Sequence, residues 1–514
     1  MRPPPAAGRR RGTRGILVAL VVSLHGGVAG QTPAGQGGSG FAPDDDIVTT
    51  RHEIDDGGQA LAYTTHAGRI PIRHNATGET RGDMFFVAYS AAAGENTALR
   101  PLTFAWNGGP GSSSSLVHLL GFGPKRIGND GEIRSNEGTW LGATDLVFVD
   151  PIGTGYSRPV REEYGAEFYQ DRGDAESVAE FIRVYLTRAD AWERPLFLAG
   201  ESFGVLRAIR VADVLRGKGI PVAGLIHIGL VPPLAEIGDP LETALAVPTY
   251  AAAAHYHRRL DPALQGDLES TLAEAERWAR DAYAPALERP GSLTAGERAE
   301  IRAGLARLTG IGAEAIDSTL VIPMGVFAAT LLADEGRVVG RYDSRMTGPI
   351  DRTQTMYDPT TDPSLENIID DVAVIRYMRD ELGYRSDLRY QGPFGGGYPP
   401  PDSFRGDWMS VMWDRSEDAR APVDDRSSDP TPAVERVMRA NEALRLFVAC
   451  GYYDLVCSYA LIEEMVASLD PPLADRITVR IYPGGHAVYD DDRVRGRMRT
   501  DVTAFIDGVS REAR

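Results

Sequence analysis

The feature that most constrains the fold is a series of short apolar runs that each end in a glycine or a turn. The runs are LTFAWNGG, DLVFVDPIG, PLFLAGESFG, GLIHIGL, LRLFVACGYYD and ITVRIYPGGH. Short apolar runs without polar alternation are typical of strands that are buried on both faces of a parallel sheet. Helical patterns lie between several of them. The sequence therefore predicts an α/β protein with a mostly parallel central sheet and helices on both faces.

One helical pattern occupies residues 174–188, after the second of these runs. Its apolar residues recur at helical spacing and form a single stripe, which we expect to pack on the sheet. The stripe consists of Val178, Phe181, Ile182, Tyr185 and Leu186. Before the first parallel run, the segments LAYTTHAGRIPIRH and DMFFVAYSA predict an antiparallel hairpin that opens the sheet.

The alternation of strand and helix stops near residue 232 and resumes near residue 434. Between these points lie a predicted helix at 267–287, a capping box from Thr294 to Glu297 and the Gly- and Pro-rich QGPFGGGYPPPDSF. We expect residues 44–231 and 434–514 to form one core and residues 232–433 to form a mainly helical insertion, or lid. An independent second domain is the alternative.

The N-terminus has the order of a secretory signal. Residues 1–30 carry arginines, then the apolar GILVALVVSL, then small residues, and a Gly/Ser/Pro-rich spacer follows at 31–43. This predicts a secreted or periplasmic protein, and a buried N-terminal helix is the alternative. We find no later stretch that would serve as a membrane anchor. The formal charge of −18 argues against nucleic acid as a partner, and the oligomeric state cannot be read.

The chain contains two cysteines, Cys450 and Cys457. Although export implies an oxidising compartment, two cysteines cannot supply a disulfide framework, so the apolar core must stabilise the fold. Whether they pair is open, because a short separation along the chain does not fix their separation in space.

Ser202 is the candidate nucleophile. It is the serine of Gly-Glu-Ser-Phe-Gly at residues 200–204, between an apolar run and a helix-like segment. A strand that turns sharply into a helix strains the residue at the bend, and glycines on either side avoid collisions. A Gly-x-Ser-x-Gly match alone is a weak signal in a chain with 57 glycines, and the strand-to-helix context strengthens it.

A nucleophilic serine needs a base, and the base needs an acid that orients it. His486 follows the last predicted strand directly, and Asp454 follows the preceding one. The order Ser202, Asp454, His486 is that of α/β-hydrolases, whose catalytic groups gather at the carboxyl ends of parallel strands. The sequence therefore predicts that fold and this triad. No metal is expected at His255 and His257, which would point to different faces of a helix.

The glycine-rich FAWNGGPGSSSS follows the first parallel run and is the candidate oxyanion turn. Backbone N–H groups of such a turn, with the N–H of the residue after the nucleophile, can bind a developing oxyanion. Gly109 and Phe203 are the expected pair. A merely flexible Gly/Ser loop is the alternative, against which Trp106 and Asn107 argue.

Five blocks, WNGGPGSSS, FVDPIGTGYS, GESFG, GYYDLVC and GGH, follow one another over about residues 104–490. In these blocks and their order the chain resembles the serine carboxypeptidases. The resemblance implies an α/β-hydrolase fold with a helical insertion, hydrolysis of the last bond of peptides with a free C-terminus, and no cofactor. It also implies that Ser202 is the nucleophile, His486 the general base and then acid, and Asp454 its orienter.

The resemblance also gives a role to the acid beside Ser202. In the family this acid binds the substrate's terminal carboxylate, together with the asparagine and first glycine of the Trp-Asn-Gly-Gly block. Here these residues are Glu201, Asn107 and Gly108, with Trp106 alongside. Burial raises the pKa of an acid, which once protonated can donate a hydrogen bond to a carboxylate, so activity should favour acid pH. The alternative is that Glu201 is a solvated acid at a helix start.

The chain departs from the family pattern in two places. Better-known members carry a second glutamate shortly after the glycine block, where this chain reads HLLGFGPKRI with Gly121 near that place. Glu201 is therefore expected to lack a carboxyl partner, which puts the acid optimum in doubt. Ser112 replaces a family cysteine, whereas Cys457 falls where the family often has one.

Two other functions stay open at this point. An acyltransferase or esterase could use the same triad and oxyanion hole, because these groups serve any acyl transfer. An inactive relative that acts as a binding module is the other possibility, against which the complete set of catalytic residues argues.

Overall fold

The structure is a computed structural model, and it describes residues 46–91, 100–128, 130–169, 171–229, 239–350, 362–365, 369, 371–393 and 433–512. All of them belong to one compact unit that spans residues 40–514. The expected signal peptide and spacer lie outside the described residues, so both stay predictions. In the described part of the chain, none of the helices combines the length and the apolar composition needed to cross a membrane.

The strands include every one of the apolar runs named above. In chain order they are β1 (Ile47–Asp56), β2 (Gln59–Arg73), β3 (Thr80–Ala91), β4 (Leu102–Trp106), β5 (Lys125–Ile127), β6 (Ile133–Ser135), β7 (Asp145–Val149), β8 (Arg158–Pro159), β9 (Leu196–Glu201), β10 (Gly224–Ile228), β11 (Arg337–Val339), β12 (Thr347–Pro349), β13 (Arg445–Gly451) and β14 (Ile477–Tyr482).

One large sheet organises the molecule, in the order β1-β2-β3-β7-β4-β9-β10-β13-β14, with β8 paired to β3. The six strands from β7 to β14 run parallel to one another, whereas β1, β2 and β3 add an antiparallel edge. This confirms the mostly parallel sheet and the opening hairpin, which is β2 with β3. In such a sheet the loops after β4, β9, β13 and β14 meet at one edge.

The helices cover both faces of this sheet. They are α1 (Gly165–Phe168), α2 (Asp171–Arg188), α3 (Phe203–Gly217), α4 (Asp239–Ala244), α5 (Val247–Tyr256), α6 (Leu268–Trp278), α7 (Ala284–Glu288), α8 (Ala295–Thr309), α9 (Met324–Thr330), α10 (Asp371–Arg376), α11 (Ala433–Ala440), α12 (Tyr459–Ala467), α13 (Pro471–Ala474) and α14 (Asp492–Glu512).

The core consists of two apolar clusters, one on each face of the sheet. Neighbouring strand residues point to opposite faces, so Leu198 of β9 belongs to the first cluster and Phe197 to the second. The first cluster contains the buried stripe of α2, as its helical spacing predicts, together with residues of α3 and α5. The second contains the apolar face of α14. Each large side chain buried in this way stabilises the fold by about 1.5–3 kcal/mol.

The predicted insertion contains α4 to α10. The helix expected at 267–287 is α6 and α7, joined by a π-helical turn at Ala279–Tyr283. Pro285 in α7 cannot donate the backbone hydrogen bond that an unbroken α-helix requires. The capping box is present, with Thr294 Oγ1 accepting from Glu297 N and Glu297 accepting from Thr294 N. Both boundaries of the insertion adjoin residues outside the described ranges, so its limits stay a prediction.

Candidate active site

Ser202 occupies the bend between β9 and α3. Its φ of 55° and ψ of −130° lie in a region that side chains rarely adopt, and its N–H donates to Ile228 O of β10 at 2.9 Å. Steric contacts require glycine at the two flanking positions, 200 and 204. A Cβ on Gly200 would lie 2.2 Å from Gly204 O, and one on Gly204 would lie 2.9 Å from Asn107 O. The sequence thus forms a strained elbow that presents a partly exposed serine at the edge of the sheet.

Asp454 and His486 come together from the loops after β13 and β14. His486 Nδ1 donates to Asp454 Oδ2 at 2.7 Å, and both side chains are buried. The other carboxylate oxygen, Asp454 Oδ1, accepts from Val456 N at 2.9 Å and from Cys457 N at 3.2 Å. These bonds fix the carboxylate, which in turn orients the imidazole.

The pKa values of this pair follow from burial and from the neighbouring charges. Burial by itself lowers the pKa of His486, but the charge and hydrogen bond of Asp454, followed by the charge of Glu201, raise it to about 9. Burial raises the pKa of Asp454, and His486 opposes that rise. The imidazole can therefore accept a proton readily, as a general base must.

His486 Nε2 is the imidazole nitrogen that is not bonded to Asp454. It is buried and makes no hydrogen bond to any described residue, Ser202 included. Glu201 Oε1 lies 3.9 Å from it. The structure thus joins Asp454 to His486 by a hydrogen bond but shows none between His486 and Ser202. Catalytic hydrogen bonds are often long or absent before substrate binds.

The glycine turn after β4 packs directly on the elbow. A Cβ on Gly108 would lie 2.4 Å from Phe203 N, so only glycine permits this approach. Gly109 follows with a φ of +102°, a conformation that favours glycine. The turn therefore lies beside the Phe203 N–H, its expected partner in an oxyanion hole.

Trp106 supports this arrangement from within the core. Its side chain is fully buried, and its indole Nε1–H donates to Gly204 O at 2.7 Å. The indole N–H is therefore already paired within the protein, and the expected place of Trp106 alongside the substrate carboxylate stays a prediction. The indole braces the elbow.

Glu201 is a buried acid. It is 6% exposed, which excludes the solvated acid considered as an alternative. Its Oε2 accepts from Asn107 Nδ2 at 2.8 Å, and the Gly108 N–H also hydrogen-bonds to it. Asn107 is held in this orientation because its Oδ1 accepts from two backbone N–H groups, Leu116 and Val117, each at 3.1 Å.

Burial raises the pKa of Glu201. The nearby His486, the Asn107 amide and the Gly108 N–H oppose the rise, and the charge of Asp454 adds to it. Protonated Glu201 could offer its O–H to an anion in the cleft, while ionised Glu201 would repel the same anion. The three residues expected to bind a carboxylate, Glu201, Asn107 and Gly108, are thus assembled beside Ser202.

Comparison with known proteins finds a family match over part of the chain. Residues 58–206 match the family model described as serine carboxypeptidase. This part of the chain is similar to the serine carboxypeptidases. The pheromone-processing carboxypeptidase of Saccharomyces cerevisiae is 34% identical over 148 residues, which make up 27% of this chain and 20% of that protein. That of Schizosaccharomyces pombe is 32% identical over 168 residues, or 32% of this chain and 31% of that protein.

The sequence match covers only part of the chain, whereas the structural match covers most of it. The sequence match includes the glycine turn and Ser202 and ends before Asp454 and His486. The chain spans only a fifth to a third of the length of these curated relatives. The crystal structure of a prohormone-processing carboxypeptidase from Saccharomyces cerevisiae superimposes with a TM-score of 0.52 at 16% identity, covering 87% of this chain and 91% of that one. That similarity shows a shared α/β-hydrolase fold.

The sequence did not predict one segment of the expected insertion, which contacts the triad loops. We call residues 341–345 the strap. His486 N donates to Tyr342 O at 2.6 Å, and the Tyr342 ring lies 5.3 Å from the imidazole, edge to face. Leu455 N, beside Asp454, donates to the strap carbonyl of Arg341 at 2.9 Å.

Further bonds tie the same segment to both loops. Ser344 N and Oγ donate to Tyr453 O at 2.9 and 3.0 Å, and Arg345 Nη1 donates to Pro483 O at 2.9 Å. The strap thus connects the acid loop to the histidine loop. Its sequence, RYDSR, carries no motif that predicts such a role.

The two cysteines lie next to the triad acid and are both free and buried. Cys450 Sγ contacts Cys457 O at 3.7 Å. The thiols and the Asp454 carboxylate lie within 4.8 Å of one another, a grouping that thiophilic metals could use. Because Asp454 already accepts three hydrogen bonds, a metal there would compete with His486.

His257, where the sequence predicts no metal, pairs through Nε2 with Ser344 O of the strap at 2.6 Å.

Proposed function

We propose that the protein is a serine-type carboxypeptidase, which removes the last residue of peptides with a free C-terminus. The observation that carries the proposal is the pairing of Glu201 with Asn107, buried directly beside the nucleophile elbow. A general esterase needs the triad and the oxyanion hole, but it has no use for a buried proton donor next to the serine. A site for a terminal carboxylate does require one.

In this mechanism Ser202 Oγ attacks the carbonyl carbon of the last peptide bond while His486 Nε2 accepts the hydroxyl proton. The Gly109 and Phe203 N–H groups stabilise the negative charge that develops on the carbonyl oxygen. His486 then gives the proton to the leaving amine nitrogen, the C–N bond breaks, and an ester of Ser202 remains. A water molecule, deprotonated by His486, hydrolyses the ester and restores Ser202. Asp454 orients the imidazole throughout.

The substrate's terminal carboxylate would bind to the proton of Glu201, the Asn107 amide and the Gly108 N–H. This contact places the last peptide bond at the elbow and disfavours peptides without a free terminus. The relatives named above are carboxypeptidases, which supports peptide substrates. We propose that residues 1–30 direct secretion or export to the periplasm, and that neither nucleic acid nor a membrane anchor is involved.

The decisive experiment compares matched peptides that differ only in a free or an amidated C-terminus. Wild type and Ser202→Ala are incubated with both, and the products are read by mass spectrometry. We expect the wild type to remove single C-terminal residues from the free acid preferentially, and Ser202→Ala to leave both peptides intact. Equal cleavage of the two peptides would contradict carboxylate recognition.

Two further outcomes separate the alternatives. Hydrolysis or transfer of simple esters with both peptides untouched would indicate an esterase or acyltransferase. Failure of Ser202 to react with a fluorophosphonate, in protein that is folded by circular dichroism, would indicate an inactive binding relative.

A further inference from the structure

Tyr489 lies three residues after His486, in the loop that leads to α14. Its side chain is 1% exposed, and its hydroxyl makes no hydrogen bond of ordinary geometry to any residue that the structure describes, although it interacts with the side chain of Asn107. The backbone is held firmly, because Arg495 Nη1 donates to Tyr489 O at 2.6 Å. A buried hydroxyl without a well-formed hydrogen bond is rare in folded proteins, and such exceptions concentrate where a function requires them.

The surroundings of this hydroxyl are the carboxylate-binding residues. The Tyr489 ring packs over Gly121, where a Cβ would meet ring atoms at 3.6 Å. Gly121 belongs to the helical turn Val117–Phe122, whose first N–H groups hold Asn107 Oδ1. Burial and, after it, the nearby charge of Glu201 raise the pKa of Tyr489 well above its usual value, while the Asn107 amide opposes the rise. The phenol therefore stays neutral and keeps its proton.

The ring also fills the space toward which a side chain at position 121 would point. The sequence led us to expect that Glu201 lacks a carboxyl partner, because glycine stands at that position. The structure shows that this space holds an aromatic ring with a proton donor at its end. Unlike a second carboxyl group, a phenol neither shares the proton of Glu201 nor adds a negative charge that would repel an anionic substrate.

We propose that Tyr489 is a positioning residue of the carboxylate-binding site, whose hydroxyl supports the Glu201–Asn107 pair when a substrate carboxylate is bound. The inference rests on the proposed function and names an additional determinant of its specificity. Tyr489 acts through Glu201 and Asn107, the two carboxylate-binding side chains whose charge and amide act on its hydroxyl. Its loss should therefore weaken recognition of the free terminus and spare the chemical step.

The test is Tyr489→Phe, which removes the hydroxyl and keeps the ring on Gly121. With the free-acid peptide we expect KM to rise about tenfold and kcat to stay within about twofold, the pattern of a lost binding contact. With the amidated peptide both constants should stay unchanged. The matched control is Tyr377→Phe, since Tyr377 is equally buried but its hydroxyl pairs with Tyr89 Oη at 2.8 Å. That variant should change neither substrate.

Three results would overturn the inference: equal losses on both peptides, a loss confined to kcat, or no change at all. Titration with a fluorophosphonate corrects kcat for the folded fraction, so partial misfolding does not imitate the effect. The two proposals can fail separately. If the wild type does not discriminate between the peptides, the proposed function fails, and if it does while Tyr489→Phe discriminates equally well, only this inference fails.

Discussion

Replacing Glu201 by glutamine should move the acid side of the pH profile to lower pH. Glu201 Oε1 lies 3.9 Å from His486 Nε2, and both side chains are buried. Two unit charges at about 4 Å interact by about 4 kcal/mol at an effective dielectric constant of about 20. Glutamine retains the hydrogen bond from Asn107 Nδ2 through its carbonyl oxygen, so the change removes the charge and little else.

The direction of the pH shift follows from the protonation of the His486 imidazole. Catalysis needs neutral His486, whose pKa is raised to about 9, in part by the charge of Glu201. Without that charge the pKa of His486 falls, and the neutral form predominates at lower pH. Because about 1.4 kcal/mol corresponds to one pH unit, an interaction of about 4 kcal/mol sets an upper limit of about three units, and we expect the acid limb of kcat/KM to shift down by about one to three units.

The assay uses a substrate with an amidated C-terminus or a simple ester, so that carboxylate recognition does not contribute. Values of kcat/KM are measured across the pH range for wild type and Glu201→Gln. Glu53→Gln is the control, since it removes the same charge from the exposed edge strand β1 and should leave the profile in place. A limb that stays in place, or that moves to higher pH, would refute the electrostatic coupling between Glu201 and His486.

Two further changes test how the triad is held. Asp454→Asn leaves the shape of the site intact but removes the charge that orients His486, so kcat/KM should fall by about 10³–10⁴-fold. Stopped assays with active-site titration would measure this fall, and a loss under tenfold would contradict the role of Asp454. Gly485→Ala places a Cβ 2.5 Å from Tyr342 O and 2.6 Å from Asp343 Cβ. The new methyl group should displace the strap and destabilise the fold by about 1–3 kcal/mol, which thermal unfolding would measure. Full activity with an unchanged Tm would mean that the strap does not support the triad loops.

The parallel part of the fold could be predicted because its signals are local. Each of the six apolar runs became a strand, and the stripe of α2 became a buried helix face. The edge strand β1 was missed since most of its side chains are not buried, which leaves it without an apolar pattern. The short hairpins β5 with β6 and β11 with β12 were missed for a similar reason.

Some residues of the candidate site could also be predicted from local motifs, whereas others could not. The elbow at Ser202 and the glycine turn at Gly108 are encoded in short motifs, because only glycine fits where two backbones nearly touch. Asp454 and His486 could be named from their places after strands, and the structure joins them by a hydrogen bond. The burial of Glu201 and the indole bond of Trp106 became visible only once distant segments were packed together.

The sequence by itself determined the parallel sheet, the sharp turn at the serine and the order of the reacting groups, since backbone sterics and apolar patterning act between neighbours in the chain. Tertiary structure alone decided that the strap ties the acid loop to the histidine loop, and that the ring of Tyr489 fills the space beside Gly121. Those contacts join residues far apart in the chain, and their geometry depends on how the insertion and the loops after β13 and β14 pack on the sheet.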